Sequence, residues 1–159
     1  MNVRINIRLA DLDRLANRLP ERIDRGIARI AYACEAGAVR TAPVGHGSLR
    51  SSIAVRKQGP SSYIVGPNAR SNRDGAPYDV FQEFGTGMLA EDFDGKALGT
   101  RHRIYPRTAK MLVFTWKGRT WRLPSVAGNP AIHYMRKGME EAMKDSPRHF
   151  SEGFVSVGI

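Results

Sequence analysis

The chain has 159 residues, enough for one domain with a modest core and too few for two ordinary ones. Its formal net charge of +10 and pI near 10.4 create a positive field that favours polyanions or acidic protein faces, without choosing between them. A single cysteine, Cys34, excludes an internal disulfide and a thiolate metal cluster and points to a reducing compartment.

No apolar leader and no membrane-length apolar run is present, so the chain reads as soluble, neither secreted nor membrane-spanning. Val3, Ile5 and Ile7 alternate with Asn2, Arg4, Asn6 and Arg8, the period of a short half-buried strand suited to a sheet edge or a neighbouring subunit. Leu9, Leu12, Ala16 and Leu19 then follow helical spacing until Pro20, which is expected to interrupt it and to open a second segment. That segment is the strongest signal: Ile23, Ile27, Ile30, Ala31, Cys34 and Ala38 share one stripe, predicting a long helix over 21–41. Ala31, Cys34, Gly37 and Ala38 are small enough to permit a close approach to a sheet.

Thr41-Ala42-Pro43 stops the helix, and Val44 to Ser48 reads as a loop. Leu49 to Lys57, with Ile53 and Val55 alternating, and Tyr63-Ile64-Val65 after the Gly59-Pro60 turn predict an antiparallel hairpin. Pro67 to Pro77 is polar and loop-like, and Tyr78 to Phe84 forms one or two helical turns ending at Gly85. Residues 88–107 make a long loop with little periodicity. Lys110 to Trp116 and Arg119 to Leu123 flank Lys117-Gly118 as a second hairpin, with Trp116 and Trp121 as core or interface anchors. A helix then begins near Asn129-Pro130, with Ile132, Met135, Met139 and Met143 as its stripe, and the tail from Ser146 adds a short helix and an extended end.

Chemistry is thinly represented. His46, His102, His133 and His149 lack metal-ligand spacing and read as surface or loop histidines. Gly85-Thr86-Gly87 lacks the third glycine of a dinucleotide fingerprint and the Lys-Ser/Thr of a phosphate loop, leaving a tight turn. Glu83, Asp92, Asp94 and His102 could form a metal nuclease only if a rigid scaffold gathered them, and two of them fall in the long loop. Arg50, Arg56, Lys57, Arg70, Arg73, Arg101, Arg103 and Arg107 recur around predicted loops, where they could meet DNA phosphates, an acidic partner or only solvent. No cofactor is indicated.

Three segments together resemble the family of siphophage tail-component proteins that includes tail-completion and head–tail joining proteins. They are Ala42-Pro43-Val44-Gly45-His46-Gly47-Ser48-Leu49-Arg50-Ser51-Ser52-Ile53, Tyr78-Asp79-Val80-Phe81-Gln82-Glu83-Phe84-Gly85-Thr86-Gly87, and Gly128-Asn129-Pro130-Ala131-Ile132-His133-Tyr134-Met135. In the third, His133-Tyr134 stands where the family usually has proline-phenylalanine. The resemblance runs from the long helix to about residue 143.

It implies a single α+β domain over 1–159, a small antiparallel-rich sheet packed by a long N-terminal and a C-terminal helix. It further implies a non-enzymatic ring, hexameric by association with six-fold tails, at the head–tail interface or the top of the tail tube. Leu49, Arg50, Tyr78, Phe81, Glu83, Phe84, Gly85 and Thr86 become the motif or subunit-interface residues. Arg70, Arg73, Arg101, Arg103 and Arg107 become candidates for facing DNA or partners. The implied neighbours are a head-side connector and tail-tube or terminator proteins, and the implied location is the virion, after assembly in the host cytoplasm. The alternative reading is a basic nucleic-acid-binding protein or small nuclease; a third is an adaptor acting through residues 1–8.

Overall fold

A computed structural model describes residues 9–44, 48–67, 78–92, 94–97 and 102–155. The alternating segment at 2–8, most of the loop at 67–77, and Arg70, Arg73 and Arg101 therefore lie outside the described residues.

The chain is α+β. Helix α1 (Leu9–Thr41) is followed by α2 (Ser48–Ser52), the hairpin β1 (Ala54–Gly59) and β2 (Ser62–Gly66), and α3 (Tyr78–Phe84). A second hairpin, β3 (Leu112–Trp116) and β4 (Arg119–Leu123), precedes α4 (Tyr134–Lys144) and α5 (Ser146–Val155). The four strands form two separate two-stranded antiparallel sheets.

Helix α1 does not stop at Pro20 but runs through it. A helix-interior proline costs about 3 kcal/mol, and here the long stretch after it packs on α4, α5 and β2, which outweighs that local penalty. The expected strand at Leu49 is likewise displaced: Leu49 lies in α2, and pairing begins only at Ala54. A buried Leu49 anchors the loop to the core, so its side chain answers to packing and not to strand alternation.

The apolar stripe of α1 buries against α4, which runs back along it, so the close approach expected of a sheet at Cys34, Gly37 and Ala38 is made by a helix. Gly138 makes the close crossing possible, because a Cβ there would stand 2.4 Å from the Ala38 nitrogen. The central core is small: Ala38, Ala42, Leu49, Ile53 and Tyr134, with Val39, Ile132 and Met135 packed around it. Tyr134 is the largest fully buried side chain, and burial pushes its hydroxyl well above the ordinary tyrosine range.

The first hairpin is fastened to α1 through Asp24. Its carboxylate accepts hydrogen bonds from Lys57 Nζ (2.7 Å), the Ser61 backbone N–H (2.9 Å) and the Tyr63 hydroxyl (3.0 Å). The Lys57 ammonium, followed by the Ser61 N–H, holds the Asp24 carboxyl below the usual carboxylate range.

Candidate functional site

Glu83, at the end of α3, is buried at 6 % exposure, yet its charge has partners. Its carboxylate oxygens accept hydrogen bonds from the backbone N–H of Met135 (2.8 Å) and of Arg136 (3.1 Å). These belong to the first turn of α4, whose initial N–H groups have no partner within the helix and whose positive dipole end favours an anion. His133, just before α4, takes a left-handed backbone conformation and makes no side-chain cap, so Glu83 caps the helix from a distant part of the sequence.

The backbone on either side is joined as well. Ile132 N–H donates to Gln82 O (2.9 Å), His133 N–H to Glu83 O (3.1 Å), Thr86 N–H to Asn129 O (2.9 Å) and Met88 N–H to Ala127 O (2.7 Å). The Thr86 hydroxyl accepts from Asn129 N–H at 2.9 Å. Gly85 lies under the backbone of Ala131, and Gly128 must be glycine: at φ +106 a Cβ would fall 1.9 Å from Thr86 O. The tight turn expected at Gly85-Thr86-Gly87 is thus one half of a clasp whose other half is the segment 127–133.

The first motif joins the same junction from the other side. Arg50 Nε donates to Ala42 O (2.8 Å) and its Nη2 to Arg40 O (3.3 Å), placing a guanidinium on the carbonyls at the C-terminal end of α1. The Thr41 hydroxyl lies 3.0 Å from Tyr134 O. All three motifs meet around Tyr134.

His133 corrects the expectation of an exposed histidine. It is 5 % exposed, its Nε2 lies 2.8 Å from Glu91 Oε2, and its ring stands edge-on to Phe84 at 6.5 Å. Nothing in its sequence spacing marked it; the cause is the left-handed turn that aims the ring inward.

Two of the three carboxylates considered for metal chemistry are engaged elsewhere. Glu83 caps α4, and Asp92 Oδ1 accepts from the backbone N–H of Asp94 (3.0 Å) and Lys96 (2.8 Å), closing a turn. His102 is exposed. Among the described residues no group of three or more His, Cys, Asp or Glu could hold a metal ion, and no helix is long and apolar enough to cross a membrane.

What the junction leaves uncovered is apolar. Tyr78, Val80 and Phe81 on α3 are 38–45 % exposed, and Met88 and Leu89, just beyond the Gly85–Gly87 turn, are exposed too. Phe84, by contrast, is half-buried against His133.

The second hairpin stands apart from the helices: β3 and β4 pack chiefly on each other, and Ile104 and Val126 tie its base by two backbone hydrogen bonds (2.8 and 3.0 Å). Lys117 and Gly118 both have positive φ, the turn that suits the twist of a two-residue hairpin loop. Cross-strand pairing puts Leu112, Phe114, Trp121 and Leu123 on one face. Val113, Thr115, Thr120 and Arg122 occupy the other, and all four are exposed.

Of the basic candidates, Arg103 donates to the Ser125 hydroxyl (2.7 Å), and Arg107 is exposed near the hairpin. Lys110, Arg119 and Arg122, on or beside the second hairpin, are exposed as well. Their signal in the sequence is charge segregation. From Lys96 to Met139 the sequence holds ten Lys and Arg and no Asp or Glu, whereas the remainder holds fifteen of each sign.

Residues 9–85 match the family model described as "Bacteriophage HK97-gp10, putative tail-component". The match covers α1, the Leu49-Arg50 motif and the Tyr78–Gly85 motif, and makes this part of the chain similar to a phage tail component; the segment 128–135 lies beyond it. Neither a curated protein nor a solved structure matches the chain.

Proposed function

From the match of residues 9–85 to a phage tail-component family, we propose that the chain is a non-enzymatic structural protein of a long-tailed phage. It forms a ring, hexameric in keeping with six-fold tails, at the head–tail interface or the top of the tail tube. A head-side connector and tail-tube or terminator proteins are its neighbours. It assembles in the host cytoplasm and ends in the virion.

The observation that carries this reading is the set of exposed apolar side chains Tyr78, Val80 and Phe81 on α3, whose last turn is tied to α4 through Glu83, with Met88 and Leu89 exposed just beyond it. Glu83 and the clasp fix α3 in place, so these side chains are presented without the ordering cost that a loose segment would pay on binding. An asymmetric contact of this kind, repeated around an axis, closes into a ring.

Sedimentation of the full chain tests it: the wild type sediments as a discrete closed oligomer, and Phe81→Asp as a monomer with an unchanged circular dichroism spectrum. A wild type that stays monomeric both alone and with tail-tube protein overturns the reading. The rival nuclease draws support from the basic charge, but two of its candidate carboxylates, Glu83 and Asp92, already accept backbone N–H groups.

A further inference from the structure

The formal charge of this chain is not spread over its surface. The helical body is neutralised by its own contacts: Arg25 pairs with Glu21, Arg29 and Arg148 with Glu152, Arg40 with Glu141, Lys57 with Asp24. Residues 96–139 contain no acidic residue and ten basic ones; Arg136 and Lys137 belong to α4, and six of the ten, Arg103, Arg107, Lys110, Lys117, Arg119 and Arg122, lie on the second hairpin or in the segment leading to it. Arg107, Lys110, Arg119 and Arg122 pair with no carboxylate among the described residues, and all four are exposed.

We infer that the hairpin β3–β4 and its base form an arm that binds the phosphate backbone of DNA without reading its sequence. The solvent face of the arm carries Arg122 directly opposite Val113, with Thr115 and Thr120 paired one step nearer the tip. The two threonine hydroxyls lie 3.5 Å apart. Arginine and threonine are donors suited to phosphate oxygens, and a two-stranded ribbon fits the major groove of a duplex. Arg119 adds charge at the tip on the opposite face of the ribbon, held 5.2 Å over the Trp121 ring, and Arg107 and Lys110, both exposed, add charge in the segment leading into β3.

Charge distribution separates DNA from an acidic protein as the occupant. Protein interfaces deplete charged residues at their centre and leave polar groups to the rim. A long stretch of one sign, with the opposite sign removed altogether, is the footprint of a uniform polyanion. The arm would also repel its own copies if they met face to face, so a counter-charge must lie between them in any ring. The inference does not require the ring, because a single chain carries the whole arm.

The test is fluorescence anisotropy of a labelled, mixed-sequence DNA duplex with the full chain across a salt series. One variant combines Lys110→Gln, Arg119→Gln and Arg122→Gln; a second combines Arg107→Gln and Lys110→Gln and leaves the hairpin itself untouched. Arg56→Gln with Lys144→Gln is the control for charge on the body. Wild type binds, and the slope of log K against log salt falls by about 2.7 in the triple variant and about 1.8 in the double one, if each cation neutralises one phosphate. Affinity near 0.1 M salt drops roughly tenfold or more in both, with the control close to wild type. No duplex binding by wild type overturns the inference, as does a control that loses as much affinity as the arm variants. Binding of polyglutamate but not of duplex assigns the arm to an acidic protein instead. Oligomeric state is read separately by sedimentation, so loss of the ring and loss of DNA binding register as different failures.

Discussion

The Glu83 carboxylate receives the backbone N–H of Met135 at 2.8 Å, so the last turn of α3 supplies the cap that α4 does not make for itself. Two segments far apart in the chain are thereby fixed to one another, and the apolar surface of α3 is held at a set angle to the helical body.

Replacing Glu83 with alanine removes that cap and leaves two N–H groups of the first turn without their acceptor. Loss of a cap costs about 1–2 kcal/mol, and stranding buried donors adds a similar amount. Thermal denaturation of Glu83→Ala is expected to show a fall of about 5–10 °C for a chain of this size. Glu83→Gln, which keeps an acceptor but not the charge, falls less.

Gly128→Ala tests the clasp. The left-handed φ and the collision with Thr86 O act together, so the change destabilises by about 3 kcal/mol or more. Gly118→Ala, at a positive φ but with open space around it, costs only about 1 kcal/mol. Chemical denaturation of the two variants measures the difference, and equal losses would show that the clasp is not tight.

Arg50→Ala removes the guanidinium from the carbonyls that end α1. A charged donor on a helix C-terminus contributes about 1 kcal/mol, and two such bonds somewhat more. The expected result is a lower unfolding midpoint in urea with an unchanged denaturant slope. If oligomerisation is lost with no change in midpoint, Arg50 belongs to a subunit contact and not to the α1 cap.

Asp24 sets a pH dependence with a definite sign. Its folded-state pKa lies below its unfolded value, mainly through Lys57, so its contribution is fully present above the usual carboxylate range near 4 and is lost as pH falls through the folded pKa. Lys57 is raised by the same pair, so its contribution holds below its ordinary value and is lost as pH rises through the folded one. Between those limits the pair is intact. Asp24→Asn is expected to flatten the acid limb of a stability–pH profile below about pH 4 and to leave its shape near pH 7 unchanged.

Local periodicity made much of this architecture legible. The stripe from Ile23 to Ala38, the aromatic helix ending at Gly85 and the turn at Lys117-Gly118 each follow from short-range spacing, and each is found where the spacing put it. What spacing could not show is what crosses the chain. Pro20 looked like a boundary because its penalty is local, while the packing that overrides it is contributed by residues of α4 and α5. Glu83 stood out as a carboxylate of a conceivable metal site and as a motif residue, but not as a helix cap, because its partners are backbone N–H groups more than fifty positions away. The helix expected at Asn129-Pro130 begins at Tyr134, since the residues before it are taken up by the clasp with Gln82–Met88. The basic arm was readable from sequence, but only by asking where acidic residues are missing, not where basic ones accumulate.

Imaging purified particles by electron microscopy, with this chain labelled, tests the central claim most directly. The account predicts a closed layer of this chain between the head connector and the tail tube. Particles that build, join head to tail and retain their DNA in its absence would contradict it.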